Sequence, residues 1–172
     1  MAFSFIGGLA VQRWGEPRLT LDIFCTVITG FGEEARYVGE LLAAFEGRIA
    51  EPREFALANR VLLLHGPSNV PADIALGAMP FEERCVDRAS AFDVGAESGL
   101  LTCSAEDLIV LKAFAARERD WLDIEGIAVR QAAALNAAQI WRELTPLLEL
   151  KEDVGTERRL RSILDAHAPP GE

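Results

Sequence analysis

The chain has 172 residues, half of them apolar, and a formal net charge of −10. That length and apolar share suit one domain around one core, and no apolar run approaches the roughly 20 residues needed to span a bilayer. A surface this acidic repels nucleic acid at long range, which excludes a general nucleic-acid binder and leaves only a local basic patch to act on one.

The start, Met1–Ile6, lacks the basic residues and the small-residue cleavage site of a signal peptide, so a cytoplasmic protein with no membrane partner is expected. Cys25, Cys85 and Cys103 are widely spaced, with no CxxC or Cys/His ligand spacing; they read as reduced, buried thiols.

In chain order, Phe3–Ile6 is a short apolar run that stops at Gly7 and Gly8, and Leu9–Trp14 reads as a short helix broken by the turn Gly15–Arg18. Leu19–Ile28 is rich in β-branched residues and alternates, which predicts a strand with Thr20, Asp22 and Phe24 on one face. Residues 33–45 carry apolar positions at helical spacing. Arg60–His65 and Val70–Leu76 predict a hairpin of two strands joined by the turn at 66–69, with Pro71 tolerated near a strand start. Residues 80–88 predict a helix with Pro80 in its first turn, and 91–94 and 100–103 predict edge strands. Ser104 opens the helical half through a capping box with Asp107 in place of the usual Glu or Gln. Further helices are expected from Asp120 to about Ala134, over 136–150 and over 156–167. The layout is α+β: a small mixed β-sheet core over 1–103, a C-terminal helical bundle over 104–167, and a flexible tail over 168–172, all within a single domain.

One arrangement carries chemistry. A strand ends in Gly7-Gly8, a later strand presents Asp22, and another presents Asp73. A carboxylate inside an otherwise apolar strand is costly to bury and tends to persist where a cation partners it. The plain readings are a strand-to-helix turn for the glycines, a salt-bridged residue for Asp22, partnered by Arg18 or Arg13, and a solvent-facing position on an edge strand for Asp73. No Ser/His/Asp pattern surrounds Ser90, Ser98 or Ser104, so a nucleophilic triad is unsupported. Trp14, Trp121 and Trp141 read as core anchors.

The stretch Ile6–Asp22 (IGGLAVQRWGEPRLTLD), followed by Asp73, resembles the nucleotidyltransferase superfamily. With Glu106–Lys112 and Arg119–Asp123, the chain looks like its bacterial AbiEii-type branch, which includes toxins of toxin–antitoxin pairs; the resemblance spans about residues 3–131. It implies that Asp22 and Asp73 hold Mg²⁺, that Gly7 and Gly8 seat the phosphates of a nucleoside triphosphate, that Lys112 neutralises them, and that Asp120 and Asp123 belong to the active site. Arg13 and Arg18 flank the glycine turn and could pair with phosphates; Thr20 could hydrogen-bond Asp22. For each of these residues a solvated, packing or helix-stabilising role competes.

The family pattern has a second aspartate two residues after the first, and here that position is Phe24. A phenyl ring cannot ligate a metal. Two functions therefore stand open: Mg²⁺-dependent transfer of a nucleotide from a nucleoside triphosphate to an RNA (such as tRNA) or protein acceptor, toxin-like in character; or a catalytically degenerate fold member that acts by binding, with an antitoxin-like protein or a second copy as partner.

Overall fold

The computed structural model describes residues 1–95 and 99–168; Ser98 and the end of the expected tail, from residue 169, lie outside them. The chain divides into two compact units, one of residues 1–9 and 19–103, the other of residues 10–18 and 104–172. Residues 10–18 thus group with the helices rather than with the sheet. Among the described residues no helix is long and apolar enough to cross a membrane.

The first unit is built on a seven-stranded mixed sheet. Its strands are β1 (Phe3–Ile6), β2 (Ile23–Ile28), β3 (Glu46–Gly47), β4 (Val61–His65), β5 (Pro71–Gly77), β6 (Ser90–Phe92) and β7 (Leu100–Thr102), in the order β3-β4-β5-β2-β1-β7-β6. The predicted hairpin is β4–β5, antiparallel with Leu63 opposite Asp73. The centre is the parallel pair β2–β5, with Phe24 opposite Asp73 and Cys25 opposite Ile74. Because partners in register point to the same side of the sheet, Cys25, Val27, Leu62, Leu64, Ile74 and Leu76 share one face. They form the core with Val38 of α2 (Glu34–Ala44) and Ala56 of α3 (Pro52–Asn59). Val38, Ala56 and Leu62 are fully buried; burial of a leucine side chain contributes about 1.5–3 kcal/mol.

The other face carries Phe24, Thr26 and Ile28 from β2 and Asp73, Ala75 and Gly77 from β5. Its far end is covered by α4 (Pro80–Asp87): a Cβ on Gly77 would meet Ile28, Thr26 and Glu82 at 3.0–3.4 Å. The near end of this face, with Phe24 and Asp73, is where the candidate site lies.

Two expectations are corrected. The strand expected over Leu19–Ile28 begins only at Ile23, so Asp22 stands just before the strand and not at its centre. The physical reason is a lack of neighbours. β1 ends at Ile6, opposite Phe24, and β5 begins at Pro71, which has no N–H to donate. Leu19 and Leu21 alternate as a strand would, yet they are 79% and 74% exposed. Likewise β5, with Asp73, is an interior strand of the sheet and not an edge. The segment 46–59 holds two elements the pattern did not reveal, β3 and α3.

The second unit contains α5 (Ala105–Ala115), α6 (Glu118–Gln131), α7 (Ala137–Lys151), α8 (Val154–His167) and most of α1 (Gly7–Trp14). Its apolar positions at helical spacing, including Leu108, Ile124, Ile127, Ile140, Leu144 and Leu160, are fully buried. Ser104 caps α5: its Oγ accepts from the Asp107 N–H at 3.1 Å and donates to Asp107 Oδ2 at 2.9 Å. Asn136 and Asp153 cap α7 and α8 through their side chains. Of the three tryptophans only Trp121 is buried; Trp14 and Trp141 are half-buried beneath Arg13 and Arg161. All three cysteines are free and buried, and burial pushes the Cys25 thiol up to about 12, leaving it inert.

Candidate functional site

In the first unit the chain turns sharply where β1 meets α1. Gly7 has φ +62°, a left-handed conformation that glycine adopts without strain. The glycines are also required by close packing. A Cβ on Gly7 would lie 3.2 Å from the Phe24 Cβ and 3.4 Å from its ring, and one on Gly8 would collide with Thr20, at 2.3 Å from Oγ1 and 2.7 Å from Cβ. The close approach that excludes a side chain at this corner is made by the chain's own Phe24 and Thr20. Thr20 Oγ1 in turn donates to Asp22 Oδ1 at 2.9 Å, which ties Asp22 to the Gly8 side of the corner.

Asp73 sits opposite Phe24 across β2–β5. Its Oδ1 accepts a hydrogen bond from Arg48 Nη2 at 2.6 Å, a charge-assisted pair with side-chain exposures of 20% and 27%. Arg48 continues the line of β3: its backbone N–H donates to Leu63 O at 2.9 Å. The sheet therefore carries one transverse row, Arg48, Leu63, Asp73, Phe24 and Ile6, that ends at the diglycine corner. Sequence reading missed Arg48, since nothing near it in the chain marks it.

The remaining predicted site residues come together in the second unit. Lys112 Nζ donates to Asp123 Oδ2 at 2.6 Å and to Asp120 Oδ1 at 3.1 Å. Arg18 grips Asp123 in two-pronged fashion, Nε to Oδ1 at 2.8 Å and Nη2 to Oδ2 at 2.9 Å. Arg117 Nε donates to Asp120 Oδ2 at 2.8 Å. Lys112, Asp120 and Asp123 are all buried. Burial pushes the Asp123 carboxyl up, but the hydrogen bonds from Arg18 and then Lys112, with their charges, outweigh it and hold it below its ordinary value. Lys112 and Arg18 are thus engaged by carboxylates of their own unit, and Arg13 lies over the Trp14 ring at 4.0 Å.

No family model and no curated protein matches the chain. Among solved structures it is similar to an antigenic nucleotidyltransferase-like protein from Paracoccidioides brasiliensis, at 15% identity and a TM-score of 0.50, over 98% of this chain and 86% of that one. The fold is nucleotidyltransferase-like. A likeness at that identity speaks of the fold alone, and what the site does rests on this chain's own residues.

In a nucleotidyltransferase fold, divalent ions are implied beside the strand carboxylates, so the donors must be tested against them. Among the described residues no group of three or more His, Cys, Asp or Glu side chains could hold a metal ion. Of the two carboxylates, Asp73 already bears a guanidinium, and its partner on β2, Phe24, carries a phenyl ring. Mg²⁺ keeps several waters and takes one or two carboxylates into a near-octahedral shell; here one of the two carboxylates that could serve already carries a guanidinium.

Proposed function

We propose that this chain is a nucleotidyltransferase-fold protein that has lost metal-dependent transfer and acts by binding a protein partner. The observation that carries this reading is the row Arg48, Asp73, Phe24: a fixed cation on one carboxylate and an apolar ring where an acid would stand. Charge supports it. Asp22, Asp73 and Arg48 sum to −1, which repels a triphosphate, whereas carboxylates loaded with divalent ions would attract one. The overall charge of −10 points the same way, to a protein partner over a nucleic acid.

The test is label transfer. Incubation with α-³²P-labelled ATP, CTP, GTP or UTP and Mg²⁺, with total tRNA and with the protein itself as acceptors, is expected to leave both acceptors unlabelled. Label that disappears in Asp22→Ala would refute the proposal.

The competing reading is Mg²⁺-dependent transfer of a nucleotide to an RNA or protein acceptor, in the manner of an AbiEii-type toxin. Its support is that Asp22, through Thr20, and Asp73, through its partner Phe24, both flank the same diglycine corner. It requires Asp73 to be released from Arg48.

A further inference from the structure

The row across the sheet assigns Arg48 a role that goes beyond packing. Adjacent strands lie roughly 4.8 Å apart, so Arg48, in line with Leu63, spans the whole of β4 to reach Asp73 on β5. A surface arginine has easier partners in a chain with 27 acidic residues. This one, partly withdrawn from water, meets an interior-strand carboxylate at 2.6 Å. A guanidinium does not lose its proton at any ordinary pH. It therefore supplies Asp73 with a permanent positive charge on the sheet face where a divalent ion would neutralise that carboxylate.

We infer that Arg48 is the resident cation of this strand pair and closes it to divalent metal, so that an acid restored at position 24 does not by itself restore a metal centre. The inference rests on the proposed loss of metal-dependent transfer and adds to its cause: two residues, Phe24 and Arg48, stand between this chain and a metal-competent site. A dication approaching Asp73 must displace the guanidinium from its oxygen or share the carboxylate with it, and like charges at such range repel strongly. With Arg48 uncharged and position 24 acidic, the guanidinium is gone from Asp73 and a new carboxylate stands opposite it in the register of β2 and β5.

The experiment is titration of Mn²⁺, followed by its electron paramagnetic resonance signal, into the wild type, Phe24→Asp, Arg48→Met and the double variant, each checked for folding by circular dichroism. The wild type and Phe24→Asp are expected to leave the free-ion signal intact. The double variant is expected to bind at least roughly tenfold more tightly than Phe24→Asp, and to lose that binding when Asp73→Asn is added. If Arg48→Met does not fold, Arg48→Gln keeps a donor for Asp73 without the charge and carries the same expectation. Binding by Phe24→Asp as tight as by the double variant, or a folded double variant that ignores Mn²⁺, would overturn the role of Arg48. Neither result touches the silent-site proposal, which is refuted separately by label transfer in the wild type.

Discussion

The helical unit and the sheet unit both set arginine against aspartate, at different depths. In the helical unit Lys112, Asp120 and Asp123 have side chains only 5–7% exposed, and each aspartate meets two cationic side chains. In the sheet unit Asp73 is 20% exposed and holds one guanidinium, while Asp22 has a threonine hydroxyl. A buried network must be complete, because any charge left without a partner is expensive. A partly buried pair can be exchanged at lower cost, since water compensates part of what is lost. The residues the family resemblance assigns to chemistry thus divide between a buried ion network in the helices and a less buried pair on the sheet.

Removal of a partner from the buried network should have the largest effect. Lys112→Met leaves Asp120 and Asp123 buried with less compensation, and a loss of about 3–5 kcal/mol in urea unfolding is expected. A loss under about 1 kcal/mol would show that the network is not the closed structural unit described, and would reopen Lys112 to a ligand role.

Gly8→Ala comes next. The new methyl would be driven into Thr20, and overpacking of this kind costs about 1–3 kcal/mol. A neutral effect on thermal stability would mean that the corner is looser than its contacts indicate and that the glycine serves something outside the chain.

Acid should weaken the helical unit. Asp123 titrates below its ordinary value when folded, so its pairing contributes fully above roughly pH 4, the unfolded value, and that contribution is lost as pH falls through the lower folded value. Trp14, Trp121 and Trp141 all belong to the helical unit, so their emission reports on it selectively. The expected result is a cooperative acid transition in tryptophan emission that Asp123→Asn weakens at neutral pH; an unchanged neutral-pH stability in that variant would contradict the assignment.

Arg48→Met is the smallest effect on the fold. At this partial burial the expected cost is about 1–2 kcal/mol, between that of an exposed pair and that of a buried one, measured by urea unfolding. A cost as large as that of Lys112→Met would erase the distinction between the two units.

The sequence made the helical half legible because its signals are local. Ser104 with Asp107, the apolar spacing from Leu108 onward, and Asp120 and Asp123 one turn apart can all be read within a few residues. The strands from 60 to 77 were legible for the same reason, as short apolar stretches on both sides of a Gly-Pro turn. Leu19–Asp22 misled, since alternation describes a strand's faces and says nothing of whether neighbours exist to complete its ladder. The short α3 escaped because its one buried residue, Ala56, makes no stripe. Arg48 could not have been read at all: its link to Asp73 depends on the sheet order β3-β4-β5, which only the fold supplies.

The central claim, that Asp22 and Asp73 do not form a metal-dependent nucleotide site, is tested most directly by calorimetric titration of the wild type with ATP, CTP, GTP and UTP in the presence of Mg²⁺. The account predicts no heat of binding up to millimolar nucleotide. Binding that requires Mg²⁺ and vanishes in Asp22→Ala would contradict it.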